Sequence, residues 1–430
     1  MRLELEAVTV RRAVFAAATG IADGQLSVAR EELRSIIAAD SRLAAVEIEI
    51  ANPGEDCRIG DVFDVFEPRA KAGGGTDFPG VLGPIERAGN GRTTVARGAA
   101  VVVLNPLDDR FKMTIDMTGP GAGISPYGHT ANVCILSQPA AGVAQPAYYR
   151  ALKEAGLKAS VYLGEAAWRA GGGSLETFDL NLAPHSPRVL TDGALPRVAY
   201  IYMIASQQKP TEADEPVLYG QNVRHLLPTV LHPNEVLDGA VVAPYWNFGA
   251  ETYAIQNHPL ILELYRRHGR DLTFAGAVAT VAADTEVERR RSAMMAANLA
   301  REALGADAVV LTKYGGGIPE SALMYTYDAC EALGMKGALI VWAHGGDGRV
   351  ESTLTFMSPR ADAVVSCGIA DDTIDLPPIA RVIGSPTMGT ALMEGRLAGL
   401  PTAGPLQLRY VAIGGVGNQI GGGRRSSQEF

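Results

Sequence analysis

The sequence predicts an α/β protein in which a β-rich N-terminal α+β domain is followed by doubly wound parallel-sheet domains. Three observations lead to this prediction. Short apolar runs separated by turn residues fill the first part of the chain, helical and apolar segments alternate from about residue 145, and regular strand–helix–strand units occupy Leu272–Val365. Continuously apolar strands are typical of parallel sheets, because helices cover both faces of such a sheet.

The N-terminal part is expected to be rich in strands. Strands are predicted at Ala45–Ile50, Asp61–Phe66 and Ala99–Val103, and one helix at Val28–Ile37. Turn chemistry such as Asn52-Pro53-Gly54 separates these segments. This pattern defines the first predicted domain, residues 1–140.

The middle of the chain, residues 141–270, is predicted to be an α/β domain. Ala147–Ala155 has the composition of a helix, and Ala159–Leu163 is predicted to be the strand that follows. Arg197–Ile204 and Ala240–Tyr245 are apolar throughout and are predicted to be buried strands.

Residues 271–420 carry the clearest pattern, that of a doubly wound sheet. A strand at Leu272–Val281 is followed by a helix that begins near Asp284 and ends at Leu304, where Gly305 is a natural stop. The remaining predicted elements are a strand at Ala308–Thr312, a helix at Pro319–Leu333 and strands at Ala338–Val341 and Ala363–Ser366. Residues 421–430 are predicted to form a flexible tail.

Composition and charge exclude several classes of protein. The hydrophobic share of 47% and the charged share of 20% are typical of a folded chain, and a length of 430 residues indicates two or three domains. The net charge of −9 argues against a nucleic-acid partner. No apolar run approaches the ~18 residues of a membrane span, the first residues carry acids instead of a signal-peptide pattern, and the four cysteines lie far apart. We therefore expect a cytoplasmic protein without a membrane partner.

The ends of two predicted strands carry the residues that suggest a site. Lys313, Tyr314 and Glu320 follow one strand in a glycine-rich loop, and His344 and Asp347 follow the next. Ligands of open parallel sheets bind at this edge, so we expect the first three residues to bind substrate and the last two to exchange protons. The alternative is that both loops are simply tight turns, since neither fits a nucleotide-binding glycine pattern.

The histidines show no metal-binding spacing. A metal site could be assembled from distant residues, for example His258, His344 and Asp347, although dispersed histidines more often make structural hydrogen bonds. The metal content therefore stays open.

Short segments in a fixed order, spread over nearly the whole chain, carry a resemblance to a known family. These segments include Met1-Arg2-Leu3-Glu4-Leu5, Phe78-Pro79-Gly80, Ile115-Asp116-Met117-Thr118-Gly119-Pro120-Gly121, Tyr162-Leu163-Gly164-Glu165-Ala166, Leu195-Pro196-Arg197-Val198-Ala199-Tyr200, Pro233-Asn234-Glu235-Val236-Leu237-Asp238-Gly239-Ala240 and Glu263-Leu264-Tyr265-Arg266-Arg267-His268-Gly269. Through them the chain resembles the component B proprotein of glycine/sarcosine/betaine reductase and, more distantly, the proline reductase proprotein.

The resemblance implies reductive C–N cleavage of small amino acids or N-methylated amines. It also implies self-cleavage before a cysteine that becomes a pyruvoyl group, and a separate subunit whose cysteine or selenocysteine attacks the activated carbon. At the place of the family's cleavage segment this chain has Ala243–Thr252, hereafter segment 243–252, which contains neither cysteine nor serine. Cys134 is the other candidate for cleavage, but it is preceded by valine and lies in another predicted domain. We therefore expect no pyruvoyl group and an uncleaved chain.

Two hypotheses from different classes follow. In the first, the chain is the substrate-binding subunit of a reductase-like complex, with Asn247 and Glu251 as further catalytic residues and Tyr245 and His258 as further substrate-binding residues, in a cleft shared with the strand-end residues. In the second, it is a non-catalytic structural subunit; a metal-dependent lyase or hydrolase on the same fold is a further alternative. Under the first hypothesis we expect a homodimer within a hetero-oligomer, whose second subunit supplies the nucleophile.

Overall fold

The computed structural model describes residues 1–107, 112–182, 194–206, 214–343, 354–389, 397–417, 419–422 and 428–429. The strands of the first half of the chain are β1 Arg2–Thr9, β2 Arg12–Phe15, β3 Gly20–Ala22, β4 Gln25–Val28, β5 Leu43–Ala51, β6 Cys57–Phe66, β7 Arg69–Lys71, β8 Gly91–Arg97, β9 Ala99–Leu104, β10 Met113–Asp116, β11 Ala131–Pro139 and β12 Ser174–Asp179. Those of the second half are β13 Arg197–Met203, β14 Thr229–Leu231, β15 Thr273–Thr280, β16 Ala308–Thr312, β17 Lys336–Ala343, β18 Val364–Ile369, β19 Thr373–Leu376, β20 Arg381–Ile383, β21 Leu406–Arg409 and β22 Gln428–Glu429.

The helices range from single turns to a helix of seven turns. They are α1 Arg30–Ala38, α2 Gly119–Ile124, α3 Gln145–Ala170, α4 Pro233–Leu237, α5 Thr252–Gln256, α6 Pro259–Arg267, α7 Glu286–Asn298 and α8 Ile318–Ala332, with a π-helical turn at Leu299–Ala303 that continues α7. No described helix is both long and apolar enough to cross a membrane.

The N-terminal part is built on two larger sheets. One has the strand order β12-β1-β8-β7, and the other has the order β10-β6-β9-β11-β5, with β20 pairing with β6. The strands predicted in this part lie in β5, β6 and β9, and the predicted helix is α1. The expected β-rich α+β architecture is therefore confirmed.

Helix α3 corrects one prediction. The strand expected at Ala159–Leu163 is wrong, because the helix continues without interruption to Ala170. Its interior glycines would ordinarily weaken a helix. Here they allow close packing, since a Cβ on Gly156 would lie 2.2 Å from the Phe66 ring and a Cβ on Gly164 would lie 2.2 Å from the backbone of Arg69. These contacts seat α3 on the end of β6 and on β7.

The second half of the chain forms a seven-stranded sheet with the order β14-β15-β13-β16-β17-β18-β22. Its five central strands are parallel, and in chain order they run 2-1-3-4-5. Helices α7 and α8 cover one face, and α6 with β1 covers the other, so the doubly wound arrangement is confirmed. The division of the chain into domains at residues 140, 270 and 420 stays a prediction.

The apolar run Ala240–Tyr245 is the other correction, because it is not a strand. Its one ladder contact is an isolated bridge between Val241 and Leu218. The run is apolar because it passes between two cores. Val241 and Ala243 belong to the core of the seven-stranded sheet, while Val242 and Tyr245 belong to the core of the N-terminal sheets.

Candidate functional site

A cavity of about 530 Å³ lies at the carboxyl ends of β13, β15 and β16. The strand order reverses between β13 and β16, which is the point where open parallel sheets bind their ligands. Each strand contributes the residues that follow it, and segment 243–252 closes one side. The lining residues are Ser206, Trp246, Phe248, Ala282, Asp284, Tyr314, Gly315, Gly316, Gly317, Ile318, Pro319, Glu320 and Thr355.

The loop between β16 and α8 brings backbone to the cavity. Gly315 and Gly317 have φ values of +83° and +72°, a region that favours glycine. Gly317 is the N-cap of α8, and Pro319 lies in the first turn, where its missing N–H costs nothing. The positive end of the helix dipole of α8 therefore faces the cavity.

Glu320 and Lys313 form a buried pair at the floor of this loop. The Lys313 Nζ lies 3.3 Å from Glu320 Oε1 and donates hydrogen bonds to the carbonyls of Gly315 and Trp342 at 2.7 and 3.1 Å. The other Glu320 oxygen accepts from the backbone N–H and the hydroxyl of Thr355 at 2.8 and 2.5 Å. Burial lowers the pKa of Lys313, and the carboxylate of Glu320 opposes that effect. Glu320 lines the cavity, whereas Lys313 lies behind it and fixes the loop.

Three aromatic rings form one wall of the cavity. The ring centroids of Trp246 and Phe248 are 5.9 Å apart, and those of Phe248 and Tyr314 are 6.4 Å apart. The Tyr314 hydroxyl donates a hydrogen bond to the Trp246 carbonyl, which ties the β16 loop to segment 243–252. Phe248 has a φ of +48°, a strained conformation for an aromatic residue. Strain of this kind is common at ligand sites, where the surroundings hold a side chain in position.

Alternate residues of segment 243–252 point away from the cavity, and these are the ones that the sequence suggested. Asn247 donates from Nδ2 to the carbonyl of Phe63 at 3.0 Å. The ring of Tyr245 packs on Phe63 and Tyr149, with centroids 6.2 and 5.5 Å apart. Both residues therefore face the N-terminal sheets, and Trp246 and Phe248 line the cavity instead.

Glu251 is fully buried at the end of the segment. Its Oε1 accepts from the backbone N–H of Gly415 at 2.9 Å, and its Oε2 accepts from the hydroxyl of Tyr127 at 3.3 Å. Burial raises the pKa of Glu251 to about 7, because charging the carboxyl group away from water is costly. Its carboxylate therefore links segment 243–252 to Gly415 and to Tyr127, but it does not line the cavity.

His258 lies beneath the site, inside the core of the seven-stranded sheet. Burial lowers its pKa to about 3, so the ring is neutral. Its Nε2 lies 3.2 Å from the Tyr200 hydroxyl, which in turn lies 2.6 Å from the hydroxyl of Thr312 at the end of β16. His344 and Asp347 lie outside the described residues, and in the described part of the chain no three metal-ligating side chains form a group. The metal site suggested for these three residues stays a prediction.

A buried polar cluster that the sequence did not suggest holds the two ends of segment 243–252 together. The Lys153 Nζ and the Thr252 hydroxyl lie 2.5 and 2.6 Å from Asp64 Oδ2, and Thr252 N–H donates to Asp64 Oδ1 at 2.9 Å. Thr252 Oγ1 also accepts from the backbone N–H of Ala243 at 3.0 Å. The sequence feature that could have indicated this cluster is Lys153, a lysine on a mostly apolar face of α3.

All four cysteines are buried. Cys134 lies in the middle of β11, between β5 and β9, and burial raises the pKa of its thiol well above the ordinary value. A thiol in this setting is a poor nucleophile, because the thiolate is the reactive form.

Comparison with known proteins gives a consistent result. The family model for glycine/sarcosine/betaine reductase component B subunits matches residues 1–427. The chain is 32% identical over 436 residues to the glycine reductase complex component B subunits alpha and beta of Acetoanaerobium sticklandii, with all of both chains covered. It is 34% identical over 391 residues to the sarcosine reductase complex component B subunit alpha of Peptoclostridium acidaminophilum, with 89% of each chain covered, and 30% identical to the betaine reductase counterpart of that organism over 392 residues, with 89% and 88% covered. No solved structure matches the chain significantly.

Proposed function

The chain belongs to the family of glycine/sarcosine/betaine reductase component B subunits, and we propose that it is the substrate-binding subunit of such a reductase complex. The observation that carries the proposal is the cavity at the reversal of strand order, because two of the three rings in its aromatic wall come from segment 243–252. By its resemblance to the family, this segment stands at the place of the cleavage segment. Under the proposal, Trp246 and Phe248 take part in substrate binding there in place of a pyruvoyl group.

The chemistry of the cavity favours a small zwitterion with an amine at one end. The faces of Trp246, Phe248 and Tyr314 attract a substituted ammonium group, at about 0.5–2 kcal/mol for each good contact. The carboxylate of Asp284 adds negative charge on the same lining, whereas that of Glu320 is already paired with Lys313. The N-terminus of α8 favours a carboxylate. An amino acid or an N-methylated amino acid carries both groups on adjacent carbons.

The role of the chain is then to orient the C–N bond towards a nucleophile from another subunit. A thiolate or selenolate of that subunit forms a bond to the carbon, the C–N bond breaks, and the amine leaves with its electron pair. This step needs no electron acceptor on the substrate-binding subunit. His344 and Asp347, which follow β17 in the sequence, remain the proposed proton-exchange residues, and the complex is proposed to be a hetero-oligomer built on a dimer of this chain.

Titration calorimetry with glycine, sarcosine and betaine tests the proposal. We expect the isolated chain to bind at least one of them and to show no reductase turnover alone. Trp246→Ala should weaken binding about tenfold, because it removes one aromatic contact. The control is Trp168→Ala, which changes an exposed tryptophan on α3 and should leave binding unchanged. Absence of binding by the folded wild-type chain would favour the structural-subunit hypothesis.

A further inference from the structure

The mouth of the cavity continues onto an exposed apolar surface, which we call the α7–α8 surface. It is formed by the outer face of α7, the start of α8 and residues 355–357. Exposed apolar side chains that occur singly are ordinary, but a group of them beside a ligand site is typical of an interaction surface. Five of the twelve most exposed large apolar residues in the described chain are there: Val287 at 78%, Met294 at 55%, Ile318 at 46%, Phe356 at 38% and Met357 at 36%.

Direct contacts connect this surface to the cavity. Ile318 and Thr355 line the cavity, and Phe356 follows Thr355 in the chain. The Phe356 ring lies edge-on to Tyr325 of α8, with centroids 5.4 Å apart. The guanidinium group of Arg290 lies 4.2 Å from the centre of the Tyr325 ring. A partner that binds α7 would therefore also cover the rim of the cavity.

The outer face of α7 carries apolar side chains and arginines, with Glu286 and Glu288 in the same turn of the helix. Val287, Arg290, Arg291 and Met294 follow the i, i+3, i+4, i+7 spacing that puts side chains on one helix face, and all four are exposed. Arg290 is paired with Glu286 at 2.8 Å, whereas Arg291 has no ion pair with any described residue. Arginine, tyrosine and methionine are enriched in the centres of protein interfaces.

We propose that the α7–α8 surface docks the subunit that carries the nucleophilic thiol or selenol, through an acidic and apolar face of that subunit. The inference rests on the proposed function, which requires this nucleophile to reach the cavity. A second copy of this chain is the competing occupant, and the crosslinks described below distinguish the two. Among the described residues of this face, Arg291 is the arginine without an ion pair, and it would meet an acidic group of the partner.

Site-specific photo-crosslinking of the assembled complex tests the proposal. The chain is co-expressed with its thiol-bearing subunit, with a photoreactive phenylalanine analogue at position 287 or, as a control, at position 175. Leu175 is 51% exposed and lies on β12, whose sheet packs on the opposite face of the seven-stranded sheet. We expect crosslinks to the thiol-bearing subunit from position 287 and none from position 175. Crosslinks from 287 to a second copy, or an assembled complex without crosslinks from 287, would overturn the proposal.

Affinity measurements give a second readout. The double variant Val287→Ser/Met294→Ser and the variant Arg291→Glu should each weaken binding of the thiol-bearing subunit about tenfold, and Leu175→Ser should not. Substrate binding by the isolated chain should be unchanged in all three. Unchanged partner affinity in the first two variants would reject the docking surface and leave the proposed function intact. Failure of the wild-type chain to bind any substrate would reject the proposed function without affecting the crosslinks.

Discussion

The polar residues of segment 243–252 show what a sequence reveals about single residues. Asn247 and Glu251 have the right chemistry for catalysis, but in the structure both are buried against the N-terminal part of the chain. Trp246 and Phe248, which line the cavity, look like ordinary core residues in the sequence. Residue type indicates what a side chain can do, whereas its direction depends on which core packs against each side of the segment.

The buried carboxyl group of Glu251 predicts a pH-dependent stability. Its pKa is raised from 4.5 to about 7 on folding, so the folded state binds this proton more tightly than the unfolded state. The resulting stabilisation is fully present below pH 4.5 and is lost as the pH rises through about 7. Glu251→Gln, which cannot ionise, should therefore gain about 3 kcal/mol relative to wild type between pH 4.5 and pH 8.5.

Urea unfolding of both chains at pH 5, 7 and 8.5 measures this difference. The matched control is Glu302→Gln, which changes an exposed glutamate in the π-helical turn after α7. Its stability relative to wild type should not vary in this way. A Glu251→Gln chain whose stability runs parallel to that of wild type across the whole pH range would contradict a raised pKa.

At the level of elements, the doubly wound part was predictable and two apolar segments were not. The strand Ala308–Thr312 has the predicted bounds, and α8 differs from its prediction by one residue at each end. These elements were predictable because apolar residues recur with a different spacing in strands and in helices. Ala159–Leu163 and Ala240–Tyr245 are apolar for tertiary reasons. The first lies in a helix packed against a sheet, and the second passes between two cores.

The glycines of α3 provide a test at this scale. Gly164→Ala should destabilise the fold by about 3 kcal/mol even though alanine is the better helix former, because its Cβ would lie 2.2 Å from the Arg69 backbone. Gly123→Ala in α2 is the matched control, since no atom lies within 4 Å of its new Cβ. The control should be stabilised by about 0.5–1 kcal/mol. Equal effects of the two substitutions in thermal unfolding would show that α3 does not approach β7 so closely.

For the whole molecule, the sequence predicted the fold class and the family, and both are confirmed. It also predicted the sheet edge that holds the cavity, because loops after β16 begin where parallel strands end. The sequence did not reveal the buried polar cluster that holds the two ends of segment 243–252 together. Asp64, Lys153 and Thr252 are far apart in the chain, and the packing of α3 and α5 on β6 brings them together.

The last prediction concerns the integrity of the chain: it should not cleave itself. Cleavage needs a nucleophile beside the scissile carbonyl and a leaving group on the same residue, and segment 243–252 has neither thiol nor serine hydroxyl. The hydroxyl of Thr252 is already bonded to Asp64, and Cys134 is held inside a paired strand. Denaturing mass spectrometry should therefore show a single species with the mass of the uncleaved chain and no carbonyl group that borohydride or hydrazine traps. Two fragments, the second with a blocked N-terminus, would contradict this and restore a carbonyl cofactor to the mechanism.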